Sequence, residues 1–503
     1  MRSTFIDQTP VRMGTPEQFA CIVRTLKRSS FDEETICRVF KLDNMSDVGS
    51  ITESDVELSD ISPQLQVLIR LFLLPSLLGR AEVEAVFDQG IIDSFLALGL
   101  LGTGEFGNDQ FYVRALLYPV AGFFIASDRH SMPDGSEFEP PPDIVFPAIF
   151  SGTLRFLQLM PSNWNGAALD LCSGTGIGAL VLGGSGKIAV STDITERAVT
   201  FARFNCALNN IQNVEVFRGD LYEAVEGRTF GCIVAHPPYV PSLEAKAIWR
   251  DGGTTGESLV RRIVEGLPEH LDPGGIFFCF SLGVDTENAK FEERVRLWLG
   301  HRADEFDIIF AYQEVREPRQ VLDVLARKHP GSALEFTKTL ESEFERAGVV
   351  KMPFGALCLM RSPKPATRHP LTVRRQLTAE TDGSDFEKAF VMHHRFSQPN
   401  FLTSLEQAAP QLAPRLEVKV TQVVNEGSLV PADFLFEIDK PFEARARFEP
   451  WMVPLLTRLD GKTSLANIYD EARAKDEIPE DFKLENLAVL VARTLEMGFT
   501  LLP

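Results

Sequence analysis

Ala167-Ala168-Leu169-Asp170-Leu171-Cys172-Ser173-Gly174-Thr175-Gly176 is the stretch whose reading decides the fold. Its first half has the short apolar run of a buried strand. Its second half is a turn in which Gly174 and Gly176 remove side chains where backbone would have to approach a ligand, while Ser173 and Thr175 add hydroxyls. Ile177 to Leu182 then reads as the start of a helix whose first amides can face a polar group. Purely structural strand-to-helix turns look the same, and dinucleotide-binding folds carry related ones. The residues further along have to separate these readings.

They do so at successive strand ends. Asp193 ends the next predicted strand, near the roughly 20-residue offset at which a ribose-binding acid is expected. Asp220, followed by Leu221, ends the third, where an adenine amino group would lie. A loop aspartate is often only a solvated residue, but acids at consecutive strand ends are what a ligand outside the carboxyl ends of parallel strands requires. The fourth strand runs into His236-Pro237-Pro238-Tyr239. Two prolines rigidify the backbone and contribute no amide donors, leaving their carbonyls free to face a substrate. Tyr239 can stack on a planar group, and His236 can take a proton or a hydrogen bond near neutral pH. A rigid turn after a buried strand remains the plainer alternative for this loop.

Around these motifs the pattern alternates. Strands are predicted at 167–171, 188–193, 214–217, 231–235, 275–280, 306–312 and 355–361, with helices notably over Glu196 to Asn209 and Leu259 to Leu271. This specifies an α/β fold with a mostly parallel sheet, helices on both faces and a terminal strand pair of reversed direction.

Residues 143–361 resemble a class I S-adenosylmethionine-dependent methyltransferase, within the group that carries an (Asn/Asp)-Pro-Pro-Tyr motif and includes glutamine methyltransferases of release factors and adenine-N6 methyltransferases. The resemblance implies a Rossmann-like sheet and S-adenosyl-L-methionine as cofactor. It implies a cofactor set of Asp170, Ser173, Gly174, Thr175, Gly176, Asp193, Ile194, Asp220, Leu221 and His236. It also implies catalytic roles for His236, Pro237 and Tyr239. Arg250-Asp251-Gly252-Gly253 with Gly256 is similar to the glycine-rich loop after the motif in the glutamine enzymes. Phe354-Gly355-Ala356 is expected to open the last strand. Asn205 and Asn209 fit the helix after the second strand.

One position departs from the pattern: His236 stands where the group has Asn or Asp. Imidazole offers a single acceptor nitrogen and a different geometry from an amide or carboxylate oxygen. The departure therefore shifts the expected acceptor from a planar amide or adenine toward an amine, imidazole, hydroxyl or thiol, with His236 as general base. Catalysis otherwise consists of positioning, because the methylsulfonium is already activated.

The flanks are less specific. Residues 1–142 read as a helical module with a small hairpin, winged-helix-like, serving as lid or substrate recognition. Pro63 to Leu78 is expected to be one helix kinked or ended by Pro75, and Glu82 to Leu100 another. Gln110 to Leu117 and Gly122 to Ala126 are expected to be the hairpin strands, with Pro119 and Gly122 at the turn. The methyltransferase domain is expected over 143–362, opened by a crossing segment and a helix covering the cofactor, with a polar linker at 363–387. A small, mainly helical, winged-helix-like domain is expected at 388–503, carrying Leu465, Ile468, Tyr469 and Ala472 on one helix and Leu484, Leu487, Val491 and Leu495 on the next.

Composition bounds the rest. The chain has 503 residues, 44% of them hydrophobic, enough for more than one core. A formal net charge of -20 disfavours nucleic acid, which requires clustered Lys and Arg. Seven cysteines without a CxxC pair and eight histidines without HExxH spacing point to no metal and to a reducing, cytoplasmic setting. No apolar run of membrane-spanning length is present and residues 1–7 carry no secretory signal pattern. The expected partner is a peptide, protein or small-molecule substrate, with nitrogen as the leading acceptor. The alternatives are an O- or S-methyltransferase of a metabolite, or a nucleoside-binding scaffold without catalysis.

Overall fold

The computed structural model describes residues 9–243, 247–327, 333–363 and 370–502. Residues 1–7 and the part of the 363–387 segment at 364–369 lie outside the described residues.

The centre of the molecule is one mixed sheet. We number its main strands β1 (Ala168–Leu171), β2 (Ala189–Asp193), β3 (Val214–Arg218), β4 (Phe230–Ala235), β5 (Leu271–Leu282), β6 (Phe306–Arg316), β7 (Val349–Arg361) and β8 (Thr372–Gln376). Their spatial order is β8-β6-β7-β5-β4-β1-β2-β3, with β7 antiparallel to both neighbours and every other pairing parallel. The Rossmann-like class I sheet inferred from the alternating pattern is therefore present; β6 and β7 form the expected antiparallel pair with β7 alone reversed, but the pair is not terminal, because β8 lies outside β6. The strands read as near-continuous apolar runs because helices cover both faces. Four of those helices bear on the site: α1 (Ser151–Leu159), α2 (Ile177–Gly184), α3 (Glu196–Leu208) and α4 (Ser258–His270).

Two expectations in this unit change. Strand β7 opens at Val349, ahead of Phe354, because its first residues pair with the end of β6 and with the short strand Asp285–Thr286. The supposed linker at 363–387 is largely structure. Thr372–Gln376 adds β8 to the sheet beside β6, and Gly383–Phe396 is a helix whose Phe386 and Phe390 bury against Phe278 and Phe156. Its polar composition misled because Arg374 is an internal ion-pair partner. Its guanidinium donates to both oxygens of Asp285 at 2.7 and 2.6 Å and to Glu292 at 2.9 Å.

In the N-terminal part the helix begun at Pro63 stops at Phe72, shortly before Pro75, whose ring disfavours helix at the preceding residue. The expected single helix over Glu82 to Leu100 is two, Arg80–Glu84 and Gln89–Ala97, the second capped by Asp88 accepting from Ile91 N–H. The expected strand at Gln110 to Leu117 divides at Arg114. Gln110–Val113 joins a three-stranded sheet, while Ala115–Val120 pairs with Phe123–Asp128. Pro119 lies in the strand, and the turn falls on Ala121 and Gly122, both at positive φ. The core of this part is continuous with the outer faces of α2 and α3, through Ile177, Leu180, Phe201 and Phe204.

The C-terminal part has the three expected short helices, Val453–Thr457, Leu465–Ala474 and Leu484–Glu496. The mainly helical expectation omitted a three-stranded antiparallel sheet of Glu417–Asn425, Ser428–Ile438 and Ala444–Phe448. Its hairpin turns at Glu426-Gly427, both at positive φ, a signal readable between two valine- and leucine-bearing runs.

Candidate active site

The sheet register brings the motif residues level. Leu171 at the end of β1 pairs with Ala235 of β4 on one side and with Thr192 of β2 on the other. The next residues, Cys172, His236 and Asp193, therefore emerge in one row at the carboxyl edge. Strand order reverses between β1 and β4, which opens a crevice there.

On the β1 side the glycine turn is built for backbone exposure. Gly174 has φ +53, and a Cβ there would meet nothing within 4 Å, so the turn borders open space. Gly176, at φ +80, is the N-cap of α2, and a Cβ would collide with Ala202 at 2.8 Å. Asp193 Oδ2 accepts from Gly174 N–H at 3.0 Å, and its Oδ1 accepts from Thr195 N–H at 3.0 Å. The side chain thus joins the turn to the end of β2. Ile194, beside it, is 48% exposed and offers an apolar surface.

Asp170 faces inward. Its Oδ2 accepts from Ala179 N–H at 2.9 Å, and burial pushes the carboxyl up to about 8, against that hydrogen bond and with the nearby Asp193 charge adding to the rise. Ser173 and Thr175 are buried as well. The Ser173 hydroxyl accepts from Ser191 at 2.7 Å, and the Thr175 carbonyl accepts from Asn205 at 2.9 Å. These three residues shape the turn. Asp220 carries an ion pair with Arg262 of α4 at 2.8 Å, and Leu221 is buried at positive φ. Arg262 has no motif in the sequence that would have marked it.

On the β4 side His236 lies in an aromatic stack. Phe156 of α1 is parallel to its ring at 5.2 Å and Tyr239 lies beyond at 6.0 Å, while Phe280 meets it edge-on at 6.2 Å. Its Nε2 is buried and has no hydrogen-bond partner among the described residues. Burial lowers the imidazole to about 4, so it is neutral at physiological pH. Tyr239 continues the aromatic group to Phe354 at 5.1 Å, and its hydroxyl is pushed up by burial, with Arg316 opposing the rise. Pro237 is buried at the centre of the loop.

The glycines after the motif have a steric task. A Cβ on Gly252 would lie 2.8 Å from Tyr239 Cα and 2.9 Å from the Pro238 carbonyl oxygen. Gly256, at φ +86, would meet the Tyr239 carbonyl. The loop closes through Val240 N–H to Arg250 and Gly252 N–H to Val240, both at 2.9 Å. It thereby holds the Pro-Pro-Tyr backbone in place. The aromatic residues Phe156 and Phe280 and the Gly152 position went unmarked in the sequence as site residues, and Phe354 was marked only as a strand opening, because they come from distant elements.

Residues 148–281 match the family model described as Methyltransferase small domain. A release factor glutamine methyltransferase from Thermodesulfovibrio yellowstonii is 32% identical over 28% of this chain and 55% of its own length. A ribosomal protein uL3 glutamine methyltransferase from Xylella fastidiosa is 32% identical over 22% of the chain and 40% of its own length. A putative protein N5-glutamine methyltransferase from Methanocaldococcus jannaschii is 31% identical over 28% of the chain and 74% of its own length.

The chain belongs to the class I methyltransferase family that includes these N5-glutamine enzymes.

The alignment spans about half the length of the release factor and uL3 relatives. The matched stretch contains the glycine turn, Asp193, Asp220 and the His-Pro-Pro-Tyr loop. The flanking parts lie outside the family match. Among the described residues no helix is long and apolar enough to cross a membrane, and no cluster of His, Cys, Asp or Glu could hold a metal ion.

Proposed function

We propose that this protein transfers a methyl group from S-adenosyl-L-methionine to a carboxamide nitrogen on a protein or peptide. The observation that carries the reading is His236 Nε2, buried, without a partner, and level with the glycine turn across the β1–β4 crevice.

The cradle fits the cofactor. The open side of Gly174, the start of α2 with its side-chain-free N-cap Gly176, and Asp193 with Ile194 would hold its amino-acid, ribose and adenine parts, with Asp220 and Leu221 at the adenine end. Bound there, it supplies a methyl group on a cationic sulfur, which departs as a neutral thioether while the acceptor nitrogen forms the new bond. The chain supplies position. The Pro237 carbonyl and His236 Nε2 accept hydrogen bonds from the acceptor N–H groups, and Tyr239 walls the acceptor's plane. The nitrogen then sheds one proton to His236, which returns it to solvent.

The low basicity of His236 selects the acceptor. A lysine-type amine rests as ammonium near pKa 10.4, and an imidazole held near 4 is too weak to deprotonate it. A carboxamide is neutral at rest, and its nitrogen becomes strongly acidic only when methylated. The burial of His236 thus restores the amide acceptor that its identity alone had disfavoured, and the relatives named for glutamine methylation support the same choice. His236 becomes a positioning acceptor and proton acceptor for the product. The two flanking parts, read as winged-helix-like, would recognise the substrate, in a cytoplasmic setting.

The test is transfer of isotope-labelled methyl groups to extract separated into protein, RNA and small-molecule fractions. Label is expected in protein, at glutamine or asparagine. Label confined to RNA or to small molecules would refute the reading.

A further inference from the structure

The edge of the His236 ring faces the first turn of α1. Gly152 and Phe156 lie one turn apart on the same side of this nine-residue helix. Phe156 covers the face of the imidazole, while Gly152 borders its edge. A Cβ on Gly152 would stand 3.7 Å from Tyr239 Oη and 3.9 Å from both Cε1 and Nε2 of His236. The missing side chain therefore leaves a small space bounded by the tyrosine hydroxyl, the unpartnered Nε2 and the start of the helix.

Among the described residues no side chain caps that helix start. Its N-cap is Phe150, which has no side-chain acceptor, and the first amides of any helix lack partners within it. Three kinds of hydrogen-bonding group thus surround one gap: backbone donors, a phenolic hydroxyl, and an imidazole nitrogen. A carboxamide carries an acceptor oxygen and donor N–H groups in a single plane. Its oxygen matches the backbone amides and the hydroxyl, and its N–H matches Nε2.

We propose that Gly152 and the first turn of α1 form the seat for the oxygen of the acceptor's carboxamide, making Gly152 a specificity-determining position. The assignment rests on the amide-nitrogen reading above and adds the element that orients the amide. A side chain at 152 would occupy the seat without touching the cofactor cradle on the β1 side. The helix start also carries partial positive charge, which favours a carbonyl oxygen and disfavours an ammonium ion.

Gly152→Ala isolates this position. The φ of Gly152 lies outside the left-handed region and the added methyl would make only ordinary contacts, so the variant should fold, with helix propensity raised. The measurement follows the nitrogen-15 shifts of His236 in protein saturated with S-adenosylhomocysteine, titrated with propionamide or with propylammonium. Propionamide should move the Nε2 resonance in the parent protein and propylammonium should not. In Gly152→Ala the propionamide response should weaken at least about tenfold, as expected when a hydrogen-bonded seat is filled. Affinity for S-adenosylhomocysteine and melting temperature should not fall. A parent protein that binds S-adenosylhomocysteine but shows no propionamide response would overturn the seat and leave the cofactor reading intact, as would an unchanged response in Gly152→Ala. Failure to bind S-adenosylhomocysteine at all would overturn the underlying methyltransferase activity.

Discussion

At the scale of single residues, His236 and Asp170 are two titratable groups moved in opposite directions by the same cause. Burial holds His236 near 4, below its unfolded value of about 6.5. The neutral ring's contribution is therefore complete above pH 6.5 and is lost as pH falls toward 4, by up to roughly 3 kcal/mol. Activity should accordingly show no inflection assignable to His236 between pH 6 and 8, which a pH–rate profile of the parent against His236→Gln would check. Asp170, pushed up to about 8, behaves in reverse. Its neutral form stabilises the fold fully below the unfolded value of about 3.9, and the contribution declines as pH rises through 8. Asp170→Asn should remove that decline. Denaturant titrations at pH 7 and 9.5 should show the parent losing about 1.4 kcal/mol more than the variant. Asp193→Ala, by contrast, should weaken S-adenosylmethionine binding at least about tenfold, since it deletes a charged hydrogen-bond acceptor at the ribose position. Calorimetric titration reads that loss directly.

Helix α3 shows how one element can impersonate another. Asn205 and Asn209 are four residues apart, and each pairs with both backbone groups of one residue on the strand Phe123–Asp128. Asn205 binds Ala126 at 2.8 and 3.0 Å, and Asn209 binds Phe124 at 2.9 and 2.7 Å. Four residues of helix advance about 6 Å and two residues of strand about 6.6 Å, so the rows stay in step. Asn205 also holds the Thr175 carbonyl, which ties the hairpin to the cofactor turn. Farther along, Arg197 forks onto Asp128 at 2.6 and 2.7 Å in a buried pair. Asn205→Ala should cost about 2–4 kcal/mol, because it leaves buried backbone groups of Ala126 and Thr175 unpaired. Equilibrium unfolding measures this, and the variant's affinity for S-adenosylmethionine should fall with it. These asparagines were noticeable in the sequence as part of a family pattern, whereas their partners across the molecule were not.

Across the whole molecule the decisive contacts join parts that composition separates. Arg374 comes from the stretch that reads as a linker, yet it neutralises Asp285 and Glu292 beside the sheet. Glu387, also from that stretch, accepts from Ser162 and Asn163 N–H at 2.8 and 3.0 Å. A chain ending at Ser362 would bare the edge of β6 and leave buried carboxylates without their cation. It should therefore be insoluble or unfolded, by circular dichroism and sedimentation. Arg374→Met in the full chain should cost about 3–5 kcal/mol for the same reason. The excess of acidic residues has a local counterpart here, since buried Arg197 and Arg361 and half-buried Arg374 each pair with carboxylates of the fold.

The sequence by itself determined the strands β1 to β7, their alternation with helices, the glycine turn and the Pro-Pro-Tyr loop. These depend on local periodicity, on φ preferences and on missing amide donors, all properties of neighbouring residues. The acceptor side is different. The identity of His236 suggested a base for an amine, and only burial between Phe156 and Tyr239, residues drawn from separate elements, makes it a weak acceptor suited to a neutral nitrogen. The same holds for Gly152, an unremarkable helix residue until the fold sets it where a Cβ would lie 3.9 Å from Nε2, and for the polar stretch that became β8. Desolvation and long-range pairing depend on what the rest of the chain brings near, and that is decided only in three dimensions.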